Sequence, residues 1–268
     1  MCELFAMSSR QPGRVCFAFS EFVRHGAPSS ANPDGWGAAY YDGVDAHLLR
    51  EPVPATTSAF ARVLEHHRFP SPMVLAHVRH ASRGPVTLAN TQPFARPLGG
   101  RLHVFAHNGD LPDIETALPL APGCFQPIGQ TDSEHAFAVL LTALAPLWAS
   151  PGGIPTPAAR LAVLAVFAAR LRAIGVANFL YSDGDLLFGH AHRRRHPDGI
   201  HPPGLHLLLR GEGARHHPLI GGVSLETESA IAHPLALLAS VPLTGESWRP
   251  LPEGGLVALA HGRLIAEA

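Results

Sequence analysis

Short apolar runs joined by tight-turn signals place the strongest limit on the fold of this chain. Asp42-Gly43 stands between apolar runs at 38–41 and 47–50, and Asp183-Gly184 repeats the arrangement later. An Asp-Gly pair between two such runs is typical of a β-hairpin, because these residues accept the positive φ angles of its turn. The pattern therefore predicts antiparallel strands.

Further apolar runs and four helical patterns complete the predicted elements. The other strands are predicted at 2–7, 73–79, 102–106, 178–181, 186–190, 205–210, 229–233, 256–260 and 263–266. Helical spacing predicts helices at 14–25, 58–67, 132–147 and 158–173. Antiparallel sheets with helices on their outer faces, an α+β arrangement, fit this order better than a regular βαβ repeat. No stretch resembles a linker, so we expect a single domain over residues 1–268.

Composition excludes several classes of protein. The net charge is −1 with His neutral, which predicts no nucleic-acid partner. The longest apolar run, 161–174, contains Arg170 and Arg172, so no membrane association is expected. The start of the chain has no secretory pattern, and three cysteines make no disulfide framework. We therefore expect a cytoplasmic protein.

Cys2 is the first candidate for chemistry. A small residue at position two normally lets the initiator methionine be removed, which would give Cys2 a free α-amino group beside its thiol. A thiol with a pKa near 8.5 needs a base, and an α-amine with a pKa of about 8 can serve at neutral pH. A lone cysteine is more often a small buried hydrophobe, so position alone does not decide its role.

Two strand ends carry further candidates, each with a plain structural alternative. Arg79 ends the predicted strand 73–79, and its guanidinium can either be paired structurally or bind a carboxylate ligand. Asn108 and Gly109 follow the strand 102–106. Asn-Gly is a common hairpin turn, but the Asn108 amide and the Gly109 N–H can also stabilise an oxyanion.

Two more motifs each allow a structural and a functional interpretation. Asp132 lies where a helix is predicted to begin, so Thr131 or Asp132 can cap that helix, or Asp132 can receive a substrate ammonium group. Trp36 stands between two glycines, which fits either a tight turn around a core tryptophan or a lid over a ligand.

Several short motifs, in this order, resemble those of the class II glutamine amidotransferases, the N-terminal nucleophile kind. Among these, the stand-alone bacterial amidotransferase-like proteins of the YafJ type are the most similar. The motifs are Met1-Cys2-Glu3-Leu4, Asp34-Gly35-Trp36-Gly37, His77-Val78-Arg79, Asn90-Thr91-Gln92-Pro93-Phe94, Phe105-Ala106-His107-Asn108-Gly109, Thr131-Asp132-Ser133-Glu134, Asn178-Phe179-Leu180-Tyr181-Ser182-Asp183-Gly184 and Pro242-Leu243-Thr244-Gly245-Glu246-Ser247-Trp248.

The resemblance implies a fold and a reaction. The fold is a four-layer αββα sandwich of two antiparallel sheets flanked by helices, the N-terminal nucleophile hydrolase fold. Cys2 would attack the side-chain carboxamide of L-glutamine, and its α-amino group would manage the protons. Asn108 and Gly109 would form the oxyanion hole, and the products would be glutamate and ammonia by way of a γ-glutamyl thioester.

The resemblance also implies a substrate clamp. Arg79 would hold the α-carboxylate of glutamine, and Asp132 would hold its α-ammonium group. His80 and Ser82 beside Arg79 are further candidates for substrate binding, with Trp36 as the candidate lid. No cofactor or metal is implied. Gln92 departs from the pattern, since many relatives have His there, which puts in doubt any contact that this His makes.

The fate of the nitrogen stays open. Synthases of this class join the glutaminase half to a second domain that consumes ammonia, and this sequence leaves no room for one before Ala268. Either a separate ammonia-accepting protein exists, or the substrate is another γ-glutamyl amide, as for the γ-glutamyl hydrolase of ergothioneine biosynthesis, which resembles this fold. A catalytically idle module that binds glutamine is a third hypothesis, although a sensor need not keep the nucleophile.

A histidine-rich stretch at 190–217 suggests a metal site at first sight. Arg193-Arg194-Arg195 and several Pro and Gly residues interrupt it, whereas a zinc site needs fixed spacing without adjacent cationic charge. We therefore favour a solvated or substrate-facing loop whose basic residues contact an anionic acceptor or partner.

Overall fold

The computed structural model describes residues 2–17, 34–66, 69–123, 125–149, 153–212, 223–227 and 233–268. The strands are β1 (Glu3–Phe17), β2 (Trp36–Asp42), β3 (Asp45–Glu51), β4 (Pro70–Val78), β5 (Phe94–Leu98), β6 (Arg101–Asp110), β7 (Val176–Ser182), β8 (Leu187–His190), β9 (Arg194–His196), β10 (Gly199–His201), β11 (His206–Arg210), β12 (Val223–Thr227), β13 (Leu235–Ala239), β14 (Arg249–Pro250), β15 (Leu256–Ala260) and β16 (Arg263–Glu267). The helices are α1 (Ala59–His66), α2 (Ile114–Ala117), α3 (Asp132–Trp148) and α4 (Pro157–Ile174), with a 3-10 turn at Leu88–Asn90.

Two antiparallel sheets form the centre of the molecule. The first has the strand order β14-β11-β13-β1-β4-β2-β3, with β12 also paired to β1, and the second has the order β16-β15-β8-β7-β6-β5. Alternate side chains of the central strands point inward, and their apolar members fill the space between the sheets. Leu4, Ala39 and Leu75 of the first sheet belong to the same buried cluster as Val104 and Leu180 of the second.

Helices cover the outer faces. Ala61 and Leu64 of α1 pack with Trp36 of the first sheet, while Phe137 of α3 and Phe167 of α4 pack on the second sheet in another cluster. The layers are therefore helix, sheet, sheet and helix, which confirms the predicted αββα sandwich.

Local signals set the two long helices. Thr131 caps α3 by accepting a hydrogen bond from the Glu134 N–H at 3.2 Å, which decides between the two capping residues that the sequence offers. α4 begins with Pro157 after the cap Thr156, where the missing N–H of proline costs nothing.

The long elements agree with the sequence, and one predicted helix needs correction. The helix predicted at 14–25 is wrong over 14–17, because β1 continues to Phe17 in antiparallel pairing with β12. The rest of that helix, 18–25, lies outside the described residues. So do 229–232 of the strand predicted at 229–233, and the described strand there is β13, which starts at Leu235. No helix among the described residues is long and apolar enough to cross a membrane.

Candidate active site

Cys2 immediately precedes β1, beside the end of β4. Glu3 pairs with Val78 in the register of the two strands, which brings the thiol next to the residues that follow β4. The Cys2 Sγ lies 3.2 Å from the backbone nitrogen of His80 and 3.3 Å from its carbonyl oxygen. The thiol is thus held by one backbone N–H that donates to it and one carbonyl that accepts from it.

A cavity of about 520 Å³ opens over this thiol. Its walls are Cys2, residues 80–82, residues 108–110, and a fourth group made of Val176, Arg194, Arg195 and Ile200. The predicted residues Cys2, His80, Ser82, Asn108 and Gly109 therefore share one cavity. This volume lies in the range of pockets that hold small organic ligands.

Asn108 and Gly109 lie inside β6, which runs on to Asp110 in pairing with β7. The hairpin-turn interpretation of this Asn-Gly pair is therefore wrong. The Asn108 Nδ2 donates a hydrogen bond to the Cys2 carbonyl oxygen at 2.6 Å, which fixes the amide beside the thiol. Gly109 faces the Val176 carbonyl so closely that a Cβ would lie 1.8 Å from its oxygen.

Gln92 holds the segment that carries Asn108. Its Nε2 donates to the His107 carbonyl at 3.1 Å, and its Oε1 accepts from the His107 N–H at 2.6 Å. One amide side chain thus satisfies both backbone groups of His107. This is the contact at the position where the sequence departs from the pattern of many relatives.

His107 supports the same segment from the other side. Its Nδ1 lies 2.9 Å from the Ser133 hydroxyl and its Nε2 lies 3.3 Å from the Val176 carbonyl. Burial lowers the pKa of His107, so the neutral ring accepts from Ser133 and donates to Val176.

Asn178 links β6 to the arginine-rich stretch, and sequence reasoning gave it no role. Its Nδ2 donates to the carbonyl oxygens of Asn108 at 3.1 Å and Arg193 at 2.6 Å, and its Oδ1 accepts from the His192 N–H at 2.7 Å. All three partners are backbone groups, which do not depend on residue type. The sequence therefore gives no signal for these hydrogen bonds.

A buried ion pair involves Glu3, the residue directly after Cys2. The Glu3 carboxylate accepts from Arg194 Nη2 at 2.9 Å, and the two side chains are 1% and 4% exposed. Arg194 also donates to the Ser240 carbonyl at 2.6 Å. Burial raises the pKa of Glu3 while the Arg194 guanidinium opposes that shift. Sequence reasoning missed this pair, since 191 positions separate its members.

Arg79 is buried but does not line the cavity. Its Nη2 donates to the carbonyls of Arg83 at 2.9 Å and Gly84 at 3.3 Å, and its Nη1 reaches those of Pro85 at 3.3 Å and Asp34 at 3.5 Å. The guanidinium therefore organises the loop that follows β4, and the binding of a carboxylate ligand by Arg79 stays a prediction.

Asp132 also lies outside the cavity lining, at the start of α3. Its Oδ2 accepts from the Leu111 N–H at 2.8 Å and its Oδ1 from the Ser133 N–H at 2.9 Å. Leu111 follows β6 directly, so Asp132 ties the helix start to the strand that carries Asn108.

The motif around Trp36 is joined by hydrogen bonds to the residues that follow β4. Trp36 is fully buried in the outer cluster of the first sheet, which favours a core tryptophan over a lid. The Asp34 carboxylate accepts from the Ala81 N–H at 2.8 Å, and the Gly35 carbonyl accepts from the Arg79 N–H at 2.8 Å. The motif therefore positions the residues that hold the thiol.

The thiol is not activated while Met1 precedes it. Burial raises the pKa of Cys2 to about 11, and the hydrogen bond from His80 opposes this only in part. At pH 8 such a thiol is on the order of one part in a thousand ionised. Activation requires a base close to Sγ.

The arginine- and histidine-rich stretch is partly buried rather than solvated throughout. His190, His192 and Arg194 are buried, while Arg195 and Ile200 are exposed and line the cavity. No group of three or more His, Cys, Asp or Glu side chains that could hold a metal ion occurs within the described ranges. His216 and His217 lie outside those ranges.

The family of class-II glutamine amidotransferases matches residues 1–268. The chain belongs to this family. Membership implies glutamine amidotransferase-type enzymatic activity with glutamine as the substrate.

Individual amidotransferase relatives agree with the family match. YafJ of Escherichia coli (strain K12), named as a candidate glutamine amidotransferase, is 34% identical over 257 residues, which cover 95% of each chain. A crystal structure of a predicted glutamine amidotransferase from Pseudomonas aeruginosa has a TM-score of 0.72 at 32% identity and covers 99% of this chain and all of the other.

A more distant solved structure shares the fold alone. Glutamine phosphoribosylpyrophosphate amidotransferase from Bacillus subtilis matches with a TM-score of 0.61 at 15% identity, and the alignment covers all of this chain and 49% of that one.

Proposed function

We propose that the protein hydrolyses the side-chain amide of L-glutamine through a γ-glutamyl thioester on Cys2. The observation that carries the proposal is the placement of the Cys2 thiol and the Asn108 amide in one cavity, joined by the 2.6 Å hydrogen bond from Asn108 to the Cys2 carbonyl. We take residues 1–268 as one amidotransferase domain, which the extent of the family match supports.

The reaction has two balanced halves. In the first, Sγ bonds to the amide carbon of glutamine, the C–N bond breaks, and the thiol proton leaves with the nitrogen as ammonia. In the second, water attacks the thioester, glutamate leaves, and the thiol regains a proton. Removal of Met1 supplies the base, because the freed α-amine of Cys2 carries the proton in both halves.

Asn108 and Gly109 stabilise the oxyanion in both halves. The Asn108 Nδ2 carries two hydrogens, and one of them is used by the Cys2 carbonyl. The second hydrogen and the Gly109 N–H are the donors to the tetrahedral oxygen. Donors fixed before the reaction stabilise developing charge most effectively, because they need no reorganisation.

Arg79 and Asp132 hold the amino-acid end of the substrate. The Arg79 guanidinium donates to backbone carbonyl oxygens, so its charge is available to a carboxylate that replaces one or more of them. Asp132 offers a buried carboxylate to the α-ammonium group. His80 and Ser82 line the cavity between the thiol and the Arg79 loop.

Glutamate release from glutamine by processed protein tests the proposal. Purified protein with Cys2 as its confirmed first residue is expected to release glutamate, and Cys2→Ala is expected to release none. Gly211→Ala serves as the control, since residue 211 is exposed and a Cβ there meets nothing within 4 Å. Equal glutamate release by Cys2→Ala and Gly211→Ala would exclude the mechanism.

A second candidate function is the hydrolysis of another γ-glutamyl amide, in which an amine other than ammonia leaves. The observation that favours it is a second cavity that adjoins the first, with Val176 and Ile200 lining both. With glutamine as the substrate, a separate ammonia-accepting protein is the partner that the proposal calls for. A role as an idle glutamine-binding module is disfavoured by the intact nucleophile.

A further inference from the structure

A second cavity, of about 550 Å³, adjoins the one over the thiol. The two share Val176 and Ile200 as wall residues, and Cys2 lines only the first. The second cavity extends from this shared wall toward the C-terminal end of α4. The proposed clamp residues Arg79 and Asp132 line neither cavity.

Cationic groups stand on both sides of the shared wall. Arg172 lines the second cavity and Arg195 lines the first. Arg172 donates to the Nε2 of His190 at 3.3 Å, and this ring is neutral because burial lowers the pKa of His190 to about 3. Within the described ranges no carboxylate lies within ion-pair distance of Arg172 or Arg195.

The negative groups nearby do not cancel this charge. Glu253 pairs with Arg193 at 2.7 Å and lies 3.3 Å from His192 Nε2. Asp110, in the first cavity, pairs with Arg83 at 3.2 Å. The last carbonyls of α4 carry about half a negative charge, which offsets part of the Arg172 charge. An excess of positive charge therefore remains around the shared wall.

We propose that the two cavities together take a γ-glutamyl amide whose amine half bears a carboxylate, and that Arg172 binds this carboxylate. The inference rests on the proposed hydrolysis at Cys2 and adds the chemistry of the leaving amine. The γ-carbonyl–nitrogen bond breaks, water supplies the hydroxyl of the released glutamate, and the amine leaves with one added proton. Ile200, which is 52% exposed, offers an apolar surface to the methylene groups between nitrogen and carboxylate.

Matched substrate pairs test the proposal in processed enzyme. γ-Glutamylglycine, γ-glutamyl-β-alanine and γ-glutamyl-4-aminobutyrate are each compared with the carboxamide of the same length. A charge-assisted hydrogen bond is stronger than a neutral one. We therefore expect kcat/KM to be about tenfold higher for the carboxylate than for its carboxamide at the length that reaches Arg172.

Two arginines of one helix supply the variant and its control. Arg172→Gln is expected to bring the carboxylate-to-carboxamide ratio of kcat/KM to within about twofold of unity. Arg170→Gln, an exposed position on α4 outside both cavities, is expected to keep the wild-type ratio. Thermal unfolding of both variants checks that α4 remains folded.

The possible outcomes separate this inference from the proposed function. Equal kcat/KM for the two members of every pair, or an unchanged ratio in folded Arg172→Gln, overturns the carboxylate subsite while leaving hydrolysis intact. If glutamine and every other amide are inert with processed Cys2, the proposed hydrolysis fails and the subsite fails with it.

Discussion

The side-chain amide of Asn108 donates a hydrogen bond to the carbonyl oxygen of Cys2 at 2.6 Å. This contact joins the first strand of one sheet to a central strand of the other, across 106 positions of sequence. The proposed nucleophile and the proposed oxyanion donor are therefore held in register by the packing of the two sheets.

Asn108→Ala tests the role of this amide in catalysis. Loss of one oxyanion donor is expected to lower kcat by roughly 10²–10³ with little change in KM, because the donor acts on the transition state. Steady-state glutamate release gives both constants, and far-ultraviolet circular dichroism checks the fold. A rise in KM at unchanged kcat would show that Asn108 binds the substrate and does not stabilise the oxyanion.

Gly109→Ala tests whether the close approach of Val176 requires glycine. The added Cβ would lie 1.8 Å from the Val176 carbonyl oxygen, so one strand must shift, at a cost of about 1–3 kcal/mol or more. Chemical denaturation is expected to show this loss of stability. Gly211→Ala, which adds a methyl group where nothing lies within 4 Å, is expected to change the free energy of unfolding little. Equal stability of the two variants would mean that β6 and β7 lie further apart.

The buried pair of Glu3 and Arg194 is expected to stabilise the start of β1. Arg194→Met leaves the Glu3 carboxylate buried without its cation, which costs roughly 3–5 kcal/mol. The double variant Glu3→Gln with Arg194→Met is expected to recover part of this loss, since no uncompensated charge remains. Urea denaturation measures both, and a double variant that is less stable than Arg194→Met would contradict the pairing.

Three buried histidines make stability depend on pH. Burial lowers the pKa to about 3 for His77 and His190 and to about 4 for His103. Each takes up its proton near pH 6.5 when unfolded, so the unfolded state binds more protons between about pH 6.5 and 4. Stability is therefore lost as the pH falls through this window, by up to about 4 kcal/mol per pH unit for three protons.

Glu3 changes the pH dependence of stability in the opposite direction to the three histidines, and by a smaller amount. Burial raises its pKa, so it favours the folded state at low pH, by at most one proton. Urea denaturation at pH 7.5, 6.0 and 5.0 measures the balance, with His261→Gln as an exposed control. A free energy of unfolding that stays constant from pH 7.5 to 5.0 would contradict the burial of these rings.

The sequence was sufficient for features that depend on local signals. The Asp42-Gly43 turn and the length of α3 follow from the chemistry of a few neighbouring residues, and the structure confirms them. The sequence allowed Thr131 or Asp132 as the cap of α3, and the structure selects Thr131. The strand extending to Phe17 was missed, because pairing with β12, more than 200 positions later, outweighs the local helical pattern.

In the candidate site, too, some features follow from residue type and others depend on long-range packing. Cys2, Asn108 and Gly109 carry chemistry that their residue types suggest, and the structure brings them into one cavity. The bonds from Gln92 to His107 and the pairing of Glu3 with Arg194 depend on which strands become neighbours. Such contacts are fixed by tertiary packing, so residue type and spacing alone do not indicate them.

Covalent labelling by a diazo-ketone analogue of glutamine tests most directly whether Cys2 is the nucleophile. Intact mass and peptide mapping of processed protein are expected to show one adduct, on Cys2 with Met1 absent, and no adduct in Cys2→Ala. An adduct on Cys16 or Cys124 with Cys2 unmodified would contradict the assignment.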